Sequence, residues 1–148
     1  LIGAFAEAMI RGYQGEDPTA EGSVLACAKH YAGYGETQGG RDASEAEHSR
    51  RKMLQLFLPP FERVARAGCA TFMTAYESID GTPCAFNHWL LTELLKEEWG
   101  CDGFVVTDWD NAGRSVNEQK VAATMEEAAE RAVLATKAYE ASKALTIW

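Results

Sequence analysis

The 148-residue sequence contains no apolar run approaching the roughly 20 residues needed to cross a bilayer. Nor does a charged stretch precede an apolar core at its start, so neither a membrane anchor nor an export address can be read from it. It opens on Leu1 and runs straight into helical spacing, which predicts a natural N-terminus, with any signal peptide, further upstream. Basic residues are outnumbered, 14 Lys and Arg against 22 Asp and Glu for a formal charge of -8, and they do not cluster. Nucleic-acid binding, which needs grouped cations to displace counterions from phosphates, is thereby disfavoured, and neutral substrates fit better. The four cysteines, Cys27, Cys69, Cys84 and Cys101, form no C-x-x-C pair, so neither a zinc site nor a redox motif is indicated. Three of them lie in or beside apolar runs, which predicts buried free thiols, with a disulfide as the alternative. What remains, 47% hydrophobic and 24% charged residues, is the balance of one ordinary folded domain.

Periodicity divides the chain into alternating elements. Ile2, Phe5, Ala6, Met9, Ile10 and Tyr13 recur at helical spacing, and Gly12 and Gly15 end that helix. Val24 to Ala28 is short, continuous and apolar, as a strand buried on both faces should be, and it delivers Lys29 and His30 at its end. A glycine-rich loop runs from Gly33 to Asp42. Ser44-x-x-Glu47 then reads as a capping box for a helix that Pro59-Pro60 interrupts, with a second short helix from Phe61 to Ala67 closed by Gly68. Ala70 to Tyr76 is a second strand, followed by a turn at Asp80-Gly81. Asn87 caps a helix whose Leu90, Leu91, Leu94, Leu95 and Trp99 share a face. Gly103 to Thr107 is a third strand with Asp108 at its exit, and Thr124-x-x-Glu127 caps a last, alanine-rich helix. The alternation is that of βα units in a parallel sheet, so the predicted fold class is α/β: about three parallel strands with flanking helices, a part of a (β/α)8 barrel that needs eight.

In such architectures reactive groups gather at the carboxyl ends of the strands, where loops open to solvent. The first strand end offers Lys29 and His30, the second Met73 and Tyr76, the third Asp108 and Trp109. Any one of these alone is more readily a helix cap, an ion pair or packing. Together they supply what sugar recognition needs: directional hydrogen bonds to hydroxyls, aromatic faces for the C–H side of a pyranose, and a carboxylate for the positive charge that develops at the anomeric carbon.

The strings AKHYAGYG (Ala28 to Gly35), GGRD (Gly39 to Asp42), LPPF (Leu58 to Phe61), MTAYESIDGTP (Met73 to Pro83) and EEWGCDGFVVTDW (Glu97 to Trp109) resemble, in order and spacing, the successive signatures of family 3 glycoside hydrolases of the bacterial β-glucosidase kind. The resemblance implies a (β/α)8-type catalytic domain over 1–135 and a retaining hydrolysis of terminal β-glycosidic bonds with Asp108 as nucleophile. It further implies that Lys29 and His30 hold glycone hydroxyls, that Tyr76 and Trp109 flank the sugar, and that Met73 lines the pocket. No metal or cofactor is called for; the partner is a β-glucoside or oligosaccharide. The pattern lacks the loop His of the N-acetylglucosaminidase branch and is nearer to β-glucosidases and β-xylosidases. In that branch the acid/base Glu comes from a later domain, so the chain alone is expected to be inactive, and periplasmic or secreted placement is implied.

Departures accompany the resemblance. Glu77 stands where relatives often have Asn, and residues 136–148 continue helically where the family turns into another strand. Apolar edges facing the missing strands should therefore be exposed and favour self-association. Three rival readings stand beside this one. A calcium loop from Asp108 fails because Ala112 and Gln119 occupy ligand positions and a strand precedes it. A Schiff-base aldolase would use Lys29. A carbohydrate-binding remnant would keep the first subsite without chemistry.

Overall fold

The computed structural model describes residues 1–136; the expected helical tail lies, apart from Thr136, outside the described residues. Helix α1 (Ile2–Gln14) leads to strand β1 (Cys27–Tyr31). The glycine-rich loop then runs into the two-residue strand β2 (Glu45–Ala46) and a continuous helical segment made of α2 (Arg50–Lys52), a wide turn (Met53–Phe57) and α3 (Leu58–Arg66). Strand β3 (Thr71–Thr74) precedes a hairpin of β4 (Ser78–Ile79) and β5 (Thr82–Pro83). A wide helix (Trp89–Glu98), β6 (Phe104–Val106), α4 (Asn111–Asn117) and α5 (Met125–Ala135) complete the order.

The main sheet has the order β1-β3-β6 and is parallel throughout. A small second sheet pairs β2 in parallel with β4, and β4 antiparallel with β5. Helices cover one face of the main sheet. Tyr31, Phe72, Leu58, Leu90, Leu91 and Leu95 are fully buried there, with Tyr31 set edge-on against Phe61, Phe72 and Trp99. The α/β class and the partial barrel of three parallel strands expected from the sequence are what the chain forms.

Local chemistry explains the boundaries that were foreseen. Asn87 accepts the Leu90 amide through its side chain at 3.2 Å, starting the wide helix. Thr124 accepts the Glu127 amide while the Glu127 carboxylate accepts the Ala123 amide at 2.7 Å, a reciprocal cap for α5. Asp80 and Gly81 both take positive φ, 50° and 77°, the pairing that closes a two-residue hairpin.

Four expectations are corrected. The first strand begins at Cys27, three residues later than the apolar run suggested, because pairing to β3 starts there; Val24 and Leu25 are exposed, and Lys29 and His30 lie within β1. The strand is not buried on both faces, and Cys27 is an exposed thiol while Cys69, Cys84 and Cys101 are buried and free. Ser44-x-x-Glu47 caps nothing: the Ser44 backbone carbonyl accepts the Ser78 amide, the Glu47 carboxylate accepts the Gln38 side-chain amide, and the helix instead starts on Ser49, whose hydroxyl accepts the Lys52 amide. Pro59-Pro60 does not break the helix. The wide turn before it leaves the two positions without amide hydrogens at the start of α3, where none is required.

Candidate active site

Three strand ends converge on one carboxylate. Asp108 stands two residues beyond β6. Its Oδ1 accepts the backbone amide of Trp109 at 2.6 Å and the hydroxyl of Tyr76 at 3.0 Å, and its Oδ2 lies 3.2 Å from His30 Nε2. Tyr76 arrives from the end of β3. His30 arrives from β1, reaching across the intervening strand, a span of about 10 Å at the ordinary strand spacing. The Asp108 and His30 side chains keep 19% and 27% of their surface open, so the cluster is accessible from solvent.

The donors around Asp108 do different work. The Trp109 amide and the Tyr76 hydroxyl both bear on Oδ1 and fix the carboxylate rotamer, leaving Oδ2 with only the imidazole. Tyr76 has one proton and two acceptors in reach, Asp108 Oδ1 and the Trp109 carbonyl at 2.6 Å, so it bridges side chain and backbone of the same turn. Burial, and then the hydrogen bond to Asp108, raise the Tyr76 phenol above its usual range and keep it a donor. Its ring lies beneath the Arg114 guanidinium, 4.1 Å from the ring centroid.

Tyr34, on the glycine-rich loop, sets its ring 5.1 Å from that of His30 and donates its hydroxyl to Asp42. That hydrogen bond, with some burial, pushes the Tyr34 phenol up to about 12. The loop reaches this position through Gly33, whose φ is +96° and where a Cβ would sit 3.0 Å from Ile79 Cδ1 and 3.1 Å from His48 Cδ2.

Of the residues expected from the sequence, His30, Tyr76 and Asp108 meet directly. Trp109 joins the cluster through its backbone, while its indole is 85% exposed. Met73 is half-buried in β3 beside Val106, and Lys29 is exposed with no hydrogen bond or ion pair among the described residues. Helix α4 was not foreseen. Its Asn111 is buried and donates to Thr74 Oγ1 and the Ala75 carbonyl, both at 3.0 Å, and beyond it Gln119 donates to the Tyr76 carbonyl at 2.9 Å. These two amides lock the backbone on both sides of the Ala75-Tyr76 step. The signal available was an Asn and an Arg at helical spacing after the strand, in a segment weighed only as a calcium loop. Among the described residues no group of three or more His, Cys, Asp or Glu is arranged to hold a metal ion.

Known proteins resemble this chain in sequence and fold. The model of the glycosyl hydrolase family 3 N-terminal domain matches residues 1–138. A β-xylosidase of Formosa agariphila is 37% identical over 132 residues, covering 87% of this chain and 18% of that protein. A periplasmic β-glucosidase of Salmonella typhimurium is 33% identical over 73% of this chain and 14% of its own length. Among solved structures, a β-glucosidase involved in saponin metabolism from intestinal bacteria superposes with a TM-score of 0.86 at 52% identity, covering 98% of this chain and 19% of that one. The β-glucosidase of Listeria innocua in complex with glucose gives 0.81 at 32% identity over 87% of this chain and 18% of its own. The chain thus spans less than a fifth of the length of these relatives. It belongs to glycoside hydrolase family 3, as part of the N-terminal, barrel-type domain.

Proposed function

We propose that the chain supplies the nucleophile and part of the glycone pocket of a retaining, β-glucosidase-type hydrolase. The observation that carries this reading is the convergence of His30 and Tyr76 on Asp108 from three adjacent strand ends. In the proposed reaction Asp108 Oδ2 attacks the anomeric carbon, the glycosidic bond breaks, and water later releases the sugar from the aspartyl ester. The two donors on Oδ1 hold the attacking group in line and take up no part in bond making. His30 and Lys29 bind glycone hydroxyls, Met73 and Tyr76 wall the pocket, and the open face of Trp109 is left for a sugar ring.

Retention demands a second carboxyl about 5 to 5.5 Å from the first, serving as acid and then base. Within the cluster Asp108 is the sole carboxylate among the described residues that joins hydrogen bonds from all three strand ends. Following the family resemblance, the acid/base is assigned to a segment outside this chain, and the isolated chain is expected to show negligible turnover of aryl β-glucosides. Saturable hydrolysis by the isolated chain, abolished by Asp108→Ala, would overturn that assignment.

The substrate class is proposed as a neutral terminal β-glucoside or related oligosaccharide. Relatives named β-glucosidase and β-xylosidase, and Listeria innocua structures described with glucose and with laminaribiose, support it. A non-catalytic sugar-binding role for the chain alone gives a separate expectation: calorimetry would register glucose binding that Lys29→Ala weakens. Periplasmic or secreted placement is proposed from the relative named periplasmic. Among the described residues no helix is long and apolar enough to cross a membrane.

A further inference from the structure

Glu77 follows Tyr76 in the corner between β3 and β4. It is fully buried, and neither of its carboxyl oxygens has a hydrogen-bond partner. A bare carboxylate in such a place is costly unless it is paired or protonated. The groups facing it are neutral or acidic. Asp42 and Tyr34 approach from the glycine-rich loop, and Cys84 from the segment after the hairpin. Glu45 of β2 acts on Cys84 from the same side. Gln119 lies across the corner, its amide donating to the Tyr76 carbonyl and the Ser78 hydroxyl. Arg41 and Glu118 line the neighbouring cavity with Asp42, Ser78 and Gln119, and Arg114 covers the Tyr76 ring; neither arginine forms an ion pair with Glu77. Burial, with the Asp42 charge adding to it against the Glu77 backbone amide, pushes the Glu77 carboxyl up to about 7.

The same corner holds Tyr76 in place. The Glu77 carbonyl accepts the Cys84 amide at 3.0 Å, and the Ser78 amide donates to the Ser44 carbonyl at 3.1 Å. With the two Gln119 bonds, this packs the corner around a carboxyl that water does not reach. A charge appearing on Glu77 is relieved by turning the side chain toward solvent, and that movement pulls on the residue beside it.

We propose that Glu77 is a positioning residue for Asp108: uncharged, it lets the Tyr76-Ser78 corner close and keeps the Tyr76 hydroxyl on the carboxylate, whereas ionised it loosens that contact. The proposal rests on the catalytic role assigned to Asp108, but the contact it concerns is read without sugar or turnover, so the two can fail separately.

The test is a nuclear magnetic resonance titration of the chain between about pH 4 and 9, with ¹³C at the Glu carboxyls and at Tyr Cζ. One Glu resonance, absent in Glu77→Gln, should titrate near neutrality. The Tyr76 Cζ resonance should move with the same midpoint in the parent and lose that movement in Glu77→Gln. His30 also touches Asp108, so a Tyr76 shift that survives Glu77→Gln comes from elsewhere and overturns the proposal. If Glu77→Gln does not fold, the parent alone decides: different midpoints for Glu77 and Tyr76, or a Glu77 carboxyl in the ordinary range, overturn it equally.

Discussion

The two ends of this chain treat apolar surface in opposite ways. In the wide helix Trp89–Glu98, the face predicted from Leu90, Leu91, Leu94 and Leu95 is buried in the core, where Tyr31 of β1 donates to the Leu90 carbonyl and meets Trp99 edge-on. In α1 the predicted face is mostly bare: Ile2, Phe5 and Met9 are 73%, 63% and 57% exposed, and only Ile10 and Gln14 are buried. Both stripes are equally clear as patterns. They differ in what they meet among the described residues: α1 packs on α3 along one side and leaves Ile2, Phe5 and Met9 uncovered. Val24, Leu25, Leu54 and Leu56 are exposed in the same manner, and β1 and β6 are the unpaired edges of the main sheet.

That contrast gives a ladder of expected effects. Leu95→Ala, at a fully buried site in the completed half, should cost about 3 kcal/mol of unfolding free energy in urea titration. A loss under 1 kcal/mol would mean that this half is as loosely packed as the other. Next comes pH. The folded chain holds the Glu77 proton up to about pH 7, whereas the unfolded chain loses it near the ordinary value of 4.5, so the folded state binds the extra proton between these limits. Glu77 therefore contributes stability that is full below about pH 4.5 and lost as pH rises through 7, an order-of-magnitude contribution of about 3 kcal/mol. The difference in unfolding free energy between the parent and Glu77→Gln should trace that curve; a difference independent of pH would contradict it.

Gly103→Ala probes the seam between β3 and β6. A Cβ there would sit 2.2 Å from the Ala70 carbonyl oxygen, the same atom that accepts the Phe104 amide at 3.0 Å. Backbone must move, at a cost of about 2 kcal/mol, and β6 should shift against β3 enough to lengthen the Tyr76 to Asp108 contact. Thermal unfolding with the Tyr76 ring resonance as a local probe checks both parts. The smallest effect belongs to the bare stripe: Phe5→Ser should change stability by no more than ~0.5 kcal/mol while reducing self-association in analytical ultracentrifugation. A large destabilisation by Phe5→Ser would erase the distinction between the two halves.

The same distinction separates what was legible in the sequence from what was not. Elements whose signals are local came through: the Asn87 cap, the Thr124 and Glu127 pair, and the Asp80-Gly81 turn; so did β3, which pairs on both sides, with β1 and β6. Signals that depend on distant partners misled. The apolar run from Val24 promised a strand, but Val24 and Leu25 lie exposed ahead of the β1–β3 ladder, which starts at Cys27. Ser44 and Glu47 have the spacing of a capping box, but the Ser44 backbone pairs with the Ser78 amide and the Glu47 carboxylate accepts the Gln38 side-chain amide. At the site, the types and order of residues pointed to His30, Tyr76 and Asp108. The supports behind them leave no periodic trace: Asn111, Arg114 and Gln119 act across tens of residues, and the Tyr34–Asp42 pair closes within an irregular loop.

The most direct measurement of the central claim is covalent trapping. The chain is treated with a fluoro-sugar β-glucoside bearing a leaving group good enough to need no acid, and the labelled peptide is identified by mass spectrometry. The account predicts a glycosyl ester on Asp108, absent in Asp108→Ala. A label on another carboxylate, such as Asp42 or Asp110, would contradict it.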